Sequence, residues 1–341
     1  MTAKEIRAAG LTDPHLSVVY AACDAFLRKR NSAAYPAARL LLAPDKRPYW
    51  DAILAFSTYV DDLIDDPEWP VAERTARAEA YERNVFSLMA GDDPWADGTA
   101  SGQSRTGRHL AHAFSHFVRT WNIPADSVRT FMTTIRTDLE VAQYPSFTDL
   151  ERYIHGVCVQ GVLWGNALLM PGGRREPEAE RKAAAASFGL QLTDYLRDLA
   201  EDLGDGRLYL PLEDLTAFGL SRDEVDWAAQ RARMTPKLRE LVRFEVERAD
   251  RYFTEAADWW RLVDPPAREL PRQYVRLGRF SLERIIRSDY DLFRTPPRAH
   301  VVCGASSGAS FSLGLTLVTA QRLATALRPR DACRPLPDAQ P

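Results

Sequence analysis

Two short runs of acidic residues stand out in the sequence by their spacing. The first is Asp61-Asp62-Leu63-Ile64-Asp65-Asp66, and the second is Asp198-Leu199-Ala200-Glu201-Asp202. In each run two aspartates lie four residues apart, so their carboxylates project from one helix face about one turn apart. Like charges at this spacing repel each other, and a purely structural face would hardly select them. We interpret both pairs as ligands of divalent cations.

The chemistry that these pairs predict is the capture of a diphosphate. Two helices with such pairs can face each other across a cavity and hold several Mg²⁺ ions, which bind few carboxylates and accept phosphate oxygens as further ligands. A diphosphate bridged by metal is a good leaving group because the ions neutralise its developing charge. One acidic run alone would fit a solvated helix face equally well. Two runs beside apolar segments indicate metal ions and diphosphate, rather than lysine or arginine, as the partners of these acids.

The segments that carry these acids are predicted to be helices. In the second run, Gln191, Asp194, Asp198 and Asp202 step by three, four and four residues and form one polar stripe. Nearly every other segment between turn signals also follows a period of 3.6 residues. The predicted helices span 22–28, 48–60, 70–89, 107–121, 127–141, 148–169, 177–201, 221–249, 251–260 and 270–293. The fold is therefore predicted to be all-α, a single-domain helical bundle with a central cavity.

Composition excludes several classes of protein. Among 341 residues, 44 Lys+Arg against 47 Asp+Glu give a net charge of −3, which offers no polybasic face for nucleic acid. The four cysteines are scattered and are interpreted as reduced thiols of a cytoplasmic protein. No stable membrane anchor is expected, because the most apolar late stretch is too short to span a bilayer. We expect a catalytic domain over 1–295 and a partly disordered C-terminal extension over 296–341.

Three passages resemble the squalene/phytoene synthase family: the first acidic run, the segment 191–202, and Gly206-Arg207-Leu208-Tyr209-Leu210-Pro211. The resemblance in spacing extends from about residue 3 to 294 and implies an isoprenoid-synthase fold, Mg²⁺ and allylic prenyl diphosphate substrates. It also implies site residues. The Mg²⁺ ligands and catalytic carboxylates would be Asp61, Asp65, Asp198 and Asp202, and Tyr153 would lie near the carbocation. The substrate-binding residues would be Arg197, Gln191, Asp194, Ser32, Tyr35, Arg207 and Tyr209. Trp164 is a further candidate for substrate binding.

Several residues depart from the family pattern. The departures affect the binding of a second prenyl diphosphate, which head-to-head condensation requires. The family usually has arginine where this chain has Thr58, and asparagine where it has Asp194. Both changes weaken anion binding on one side of the site. Bulky Val159 and Val162 replace small residues and are expected to narrow the prenyl channel. If the late helix aligns without gaps, a usual tyrosine falls on Gly278, which is expected to open space elsewhere.

These departures favour an enzyme that ionises one allylic prenyl diphosphate and transfers the prenyl group to an aromatic small-molecule acceptor in secondary metabolism. Tyr153, Trp164 and Phe56 could shield the cation with their ring faces, although core packing is the alternative for Phe56 and Trp164. Either Asp194 or released diphosphate could act as the general base. One alternative is a phytoene or squalene synthase that condenses two prenyl diphosphates head to head. Another is a non-catalytic prenyl-diphosphate-binding subunit, which the intact acids argue against.

Two further features have two interpretations each, and Cys158 has one. His109, His112 and His116 share a helix face, and we interpret them as partly exposed rather than as metal ligands. Asp138 either lines the cavity mouth or forms a local salt bridge. Cys158 is interpreted as an uncharged filler of the channel wall.

Overall fold

The computed structural model of the chain describes residues 1–29, 34–93, 95 and 104–294. Within these ranges the all-α prediction is confirmed, with one isolated parallel bridge between Gln143 and Leu208. The expected extension over 296–341 lies outside the described residues. The helices are α1 (Ala3–Ala8), α2 (Pro14–Arg28), α3 (Ala34–Leu41), α4 (Arg47–Asp65), α5 (Val71–Ala90), α6 (Arg105–Thr120), α7 (Ala125–Ile135), α8 (Phe147–Ile154), α9 (Gln160–Leu169), α10 (Pro177–Arg197), α11 (Leu199–Gly204), α12 (Leu212–Ala217), α13 (Arg222–Gln230), α14 (Pro236–Glu255) and α15 (Glu269–Arg287).

Several helix ends differ from the predicted ones because of capping residues. Helix α2 begins eight residues before the predicted start, since the Asp13 side chain accepts hydrogen bonds from the backbone N–H groups of His15 and Leu16. The predicted helix 221–249 is two helices. Ala232 adopts a positive φ of 47°, and Pro236 begins α14 where no N–H donor is needed.

The second acidic run lies across a helix break. Helix α10 ends at Arg197, and Asp198, with φ −96° and ψ 8°, separates it from α11. The prediction of one continuous helix over 177–201 is therefore wrong. The backbone N–H of Asp198 still donates to Asp194 O at 2.8 Å, and that of Asp202 to Asp198 O at 2.9 Å. Both bonds join residues four apart, as in an α-helix. The acidic side chains therefore keep nearly helical spacing across the break.

A π-helical turn, His155–Val159, joins α8 to α9. Such turns insert one extra residue and are frequent at functional sites. Gly156 in this turn lies against Thr134 of α7, where a β-carbon at residue 156 would overlap the threonine side chain. The close approach of the two backbones therefore depends on this glycine.

The hydrophobic core forms two clusters. One centres on α10 and α14, and the other on α2, α4 and α6. Helix α9 packs against both α4 and α10, so it lies between the two helices that carry the acidic runs. Among the described residues, no helix is both long and apolar enough to cross a membrane.

Candidate functional site

The first acidic pair lies at the C-terminal end of α4, where Asp61 and Asp65 are exposed. The second pair lies where α10 meets α11, with Asp198 and Asp202 partly buried. Burial, followed by the charges of Asp198 and Glu201, raises the pKa of Asp202 to about 7. A cation bound beside these carboxylates would relieve their mutual repulsion.

Two of the aspartates that are predicted to bind metal are paired with arginine, which corrects the expectation that their partners would not be basic residues. Arg207 donates from Nη2 to Asp65 Oδ1 at 2.7 Å. Arg197 chelates Asp198, with Nε 3.0 Å from Oδ1 and Nη2 2.7 Å from Oδ2, and its Nη1 lies 2.6 Å from Asp194 Oδ1. Both arginines that the family resemblance assigns to substrate therefore lie directly at the acids.

The carboxylates suit a metal that binds few protein ligands. Within the described ranges no three acidic, histidine or cysteine side chains group closely enough to form a protein cage for one ion. Mg²⁺ is bound through one or two carboxylates together with waters and substrate phosphates. The paired aspartates fit this mode.

Four tyrosines, which we call the tyrosine cluster, lie beside the acids: Tyr144, Tyr153, Tyr195 and Tyr209. The rings of Tyr195 and Tyr209 stack with centroids 4.0 Å apart, and that of Tyr153 lies 5.4 Å from Tyr144. In the described structure, the hydroxyls of Tyr144 and Tyr195 are buried without a hydrogen-bond partner. The cluster offers electron-rich ring faces in an enclosed setting.

Asp138 joins the tyrosine cluster to the first acidic run. The hydroxyl of Tyr153 donates to Asp138 Oδ2 at 2.6 Å. Burial raises the pKa of Asp138 to about 6, and the charges of Asp65 and Asp61 contribute to the rise. Of the two interpretations of Asp138, the placement beside the site is the one that the structure supports.

Tyr144 and Tyr195 were not predicted from the sequence to belong to the site, and Cys158 was predicted only as a filler. Burial raises the pKa of the Cys158 thiol, and the charges of Asp194, Asp138 and Asp61 raise it further. Tyr195 adjoins Asp194 within the second motif, and this adjacency was the only signal for it. Tyr144 had no sequence signal because the chain fold alone brings it to the site.

Two aromatic residues considered for cation shielding lie in the core. Phe56 is fully buried and stacks on Phe114 with centroids 3.6 Å apart. Trp164 is 1% exposed, lies near Phe114 and Phe131, and donates from Nε1 to Ser127 Oγ at 2.7 Å. These contacts support core packing for both, in place of the substrate-binding role expected for Trp164.

The expected open space at Gly278 is absent. The ring of Phe253, which is fully buried, occupies the volume beside Gly278, so that a β-carbon there would overlap it. The same ring would lie 2.9 Å from a β-carbon at Gly189. Phe253 thus fills the gap between α10 and α15. Of the two valines expected to narrow the channel, Val159 is fully buried in the core, whereas Val162 remains partly exposed.

Three predicted site residues remain: Tyr35, Gln191 and Ser32. Tyr35 is buried away from solvent and donates to Asp51 at 2.7 Å and to Asp24 at 3.0 Å, which supports a structural role. Gln191 is partly buried on α10, one turn before Asp194 and Tyr195. Ser32 lies outside the described residues.

Comparison with known proteins identifies close similarities. The sequence profile of the squalene/phytoene synthase family matches residues 28–303. The chain is 30% identical over 274 residues to a 15-cis-phytoene synthase of Synechocystis, covering 77% of this chain and 74% of that protein. The solved structure of a squalene synthase from Alicyclobacillus acidocaldarius superposes with a TM-score of 0.71 at 25% identity, covering 83% of this chain and 99% of the other. A dehydrosqualene synthase has the same fold, with a TM-score of 0.71 at 21% identity and coverage of 91% and 98%.

Proposed function

The chain belongs to the squalene/phytoene synthase family of prenyltransferases, and we propose that it condenses two allylic prenyl diphosphates head to head. The observation that carries this proposal is the pair of carboxylate sites, on α4 and at the junction of α10 with α11, on either side of α9. Each site offers carboxylates for metal and has an arginine beside it. The relatives named phytoene synthase and squalene synthase support the same reaction class.

Each group has a role in this reaction. Asp61, Asp65, Asp198 and Asp202 would hold Mg²⁺, which supplies positive charge to the departing diphosphate. The guanidinium groups of Arg197 and Arg207, which lie beside these carboxylates, would donate hydrogen bonds to diphosphate oxygens. The two substrates are thereby held with their reacting ends between the acidic runs.

The tyrosine cluster stabilises the carbocation that remains after diphosphate departs. Its ring faces stabilise positive charge in a site that excludes water. The hydroxyl of Tyr153 donates to Asp138 Oδ2 at 2.6 Å, so the Asp138 carboxylate can accept, through this hydroxyl, a proton that a cationic intermediate loses. The net reaction converts two prenyl diphosphates into one hydrocarbon, two diphosphates and two protons.

A second candidate function is transfer of one prenyl group to an aromatic acceptor. Thr58 favours it, because the residue lies partly exposed on α4 one turn before Asp61, where the family pattern has an arginine. With a hydroxyl in place of that guanidinium, one diphosphate loses a charged donor.

One experiment separates these functions. The purified protein is incubated with Mg²⁺ and allylic diphosphates of C5 to C20 length, alone and with a panel of aromatic acceptors. A C30 or C40 hydrocarbon from diphosphate alone supports the head-to-head proposal, whereas prenylated acceptor without hydrocarbon contradicts it and supports the second candidate. Diphosphate binding without turnover indicates a non-catalytic subunit. Asp198→Asn is expected to abolish turnover, and Asp223→Asn, an exposed aspartate of α13, is the matched control.

A further inference from the structure

A buried amide bonds to the π-helical turn that precedes α9. Gln160 is 5% exposed, and its Nε2 donates to the backbone carbonyl of His155, the first residue of the turn, at 3.0 Å. Its Oε1 accepts a hydrogen bond from Ser127 Oγ of α7 at 2.6 Å. Buried polar groups cost free energy unless they are paired, and both ends of this amide are paired. The side chain of Gln160 thus joins the turn to α7.

The orientation of this amide is fixed from the core. Nε1 of Trp164, one turn after Gln160 on α9, donates to Ser127 Oγ at 2.7 Å. An indole N–H can only donate, so the serine hydroxyl accepts from it and gives its own proton to Gln160 Oε1. Trp164 is buried among aromatic rings, which hold its indole in place. The Nε2 of Gln160 is thereby directed at the carbonyl of His155.

The segment from α8 to α9 contacts α7 and its continuation along one seam. Gly156 of the turn lies so close to Thr134 that a β-carbon would overlap the threonine side chain. Further along, the Tyr153 hydroxyl donates to Oδ2 of Asp138, three residues after the end of α7. The bond of Gln160 and the bond of Tyr153 therefore lie at the two ends of the same seam.

The π-helical turn sets the direction in which Tyr153 projects. A π-turn holds one residue more than an α-turn, and each residue of an α-helix rotates the side chain by about 100°. If the segment relaxed to a regular α-helix, α8 would rotate by about that angle relative to α9, and the Tyr153 hydroxyl would leave Asp138. Such turns are rare, so contacts with the surroundings must hold this one. Gln160 supplies a contact at its first carbonyl.

We infer that Gln160 and Ser127 are positioning residues, which hold the π-helical turn and thereby keep the Tyr153 hydroxyl against Asp138. This inference rests on the role proposed for Tyr153 in prenyl diphosphate chemistry. Both residues act on the reaction through the geometry of the bond between Tyr153 and Asp138. Loss of the amide should therefore slow the chemical step and leave substrate binding unchanged.

The first test needs no substrate. 3-Fluorotyrosine is incorporated at residue 153, and ¹⁹F NMR records its signal in the otherwise wild-type protein, in Asp138→Ala, in Gln160→Met and in Ser127→Ala. Methionine keeps the volume of glutamine but makes neither hydrogen bond. We expect Gln160→Met and Ser127→Ala to move the signal toward its position in Asp138→Ala, where the bond is lost. An unmoved signal in a folded Gln160→Met variant overturns the inference, and Ser127→Ala decides in the same way if Gln160→Met does not fold.

Asn166 provides the matched control. It lies six residues beyond Gln160 on the same helix, is 2% exposed, and its Oδ1 accepts from Trp259 Nε1 at 2.9 Å. Asn166→Leu removes a buried, tryptophan-bonded amide away from the turn. It should destabilise the fold but leave the ¹⁹F signal at its wild-type position. A signal that moves equally in Asn166→Leu and Gln160→Met would show general loosening of the core and contradict the inference.

Steady-state and single-turnover kinetics give the second readout. We expect Gln160→Met to lower kcat about tenfold with KM unchanged, because it displaces the Tyr153 hydroxyl without removing it. In the Tyr153→Phe background the same change should lower kcat by less than about twofold, since no hydroxyl is left to position. An equal loss in both backgrounds would overturn the inference. If the ¹⁹F signals move as expected but prenyl diphosphates give no hydrocarbon, the proposed function is wrong and the positioning of Tyr153 stands.

Discussion

Two of the site's aspartates are hydrogen-bonded to arginine. Arg207 donates a hydrogen bond to Asp65, and Arg197 donates two to Asp198, at distances between 2.7 and 3.0 Å. Mg²⁺ held by these aspartates would compete with the guanidinium groups for the carboxylate oxygens. A diphosphate would then be the anionic partner of the arginines. Metal and diphosphate are therefore expected to bind cooperatively.

The hydroxyl of Tyr153 gives a prediction at the residue scale. Tyr153→Phe removes the donor to Asp138 but keeps the ring, so we expect kcat to fall about 100-fold, within the range for general acid–base groups. Single-turnover kinetics measure the chemical step, and thermal unfolding checks the fold. Tyr252→Phe is the control, because its hydroxyl bonds Glu151 on another face of the bundle. A kcat within about twofold of wild type would exclude a chemical role for this hydroxyl.

A second residue-scale prediction concerns the packing of Phe253 on Gly278. Gly278→Ala places a methyl group inside the Phe253 ring volume and is expected to destabilise the fold by about 1–3 kcal/mol. Phe253→Leu in the same chain should recover part of that loss, because the smaller side chain leaves room for the methyl group. A double-mutant cycle by urea unfolding measures the coupling. Simple additivity of the two changes would show that the ring does not fill this space.

At the scale of elements, a buried ion network ties the N-terminal helices to α4. Arg39 of α3 donates to Glu5 of α1 at 2.8 Å and to Asp51 of α4 at 3.0 Å. Arg47 also donates to Glu5, at 2.9 Å. Burial raises the pKa of Asp51 to about 6, and Arg39 opposes that rise. The network positions the start of α4, and thereby Trp50, relative to the first helices.

Neutralising Glu5 tests this anchoring. Glu5→Gln leaves two arginines without that charge in a buried place and is expected to cost about 3 kcal/mol in the free energy of unfolding. Lys4→Gln, an exposed neighbour on α1, is the control and should be near neutral. Urea denaturation followed by circular dichroism gives both values. A loss below about 1 kcal/mol would mean that Asp51 alone is a sufficient partner for Arg39.

At the scale of the whole molecule, a second buried network responds to pH. Arg248 lies between Glu245 and Asp214, 2.7 Å from an oxygen of each. Burial raises the pKa of Glu245 from 4.5 to about 8, with Arg248 opposing and Asp214 adding to the rise. The guanidinium of Arg248 thus bonds to two carboxyl groups. Because its pKa is about 8, the carboxyl group of Glu245 keeps its proton at neutral pH.

Stability should therefore fall as this proton is lost. Because the folded pKa of Glu245 lies above its unfolded value, its contribution is complete below pH 4.5 and disappears as the pH rises through about 8. We expect the Tm to decrease between about pH 4.5 and 8, and Glu245→Gln to flatten that decrease. Glu247→Gln, exposed on the same helix, is the control. Identical Tm–pH slopes in wild type and Glu245→Gln would contradict the assignment.

Local sequence patterns determined the helical fold and the spacing of the two acid pairs that are predicted to bind metal. The spacing of Asp61 and Asp65 places both on one face of any helix, whatever surrounds it, because helix geometry repeats every 3.6 residues. The same local rule identified the stripe from Gln191 to Asp202. It did not reveal the break at Asp198, since that depends on backbone angles which composition does not encode.

Tertiary packing decided the partners and surroundings of these residues. Arg207 and Asp65 are 142 residues apart, and only the folded chain brings them together. Trp164 lies in the aromatic core and Phe253 fills the space beside Gly278, because interiors are packed to high density by side chains from distant helices. The sequence by itself determined the helical spacing of the acids that are predicted to bind metal. The tertiary structure decided which side chains pair with these acids, because that choice depends on contacts between helices remote in the sequence.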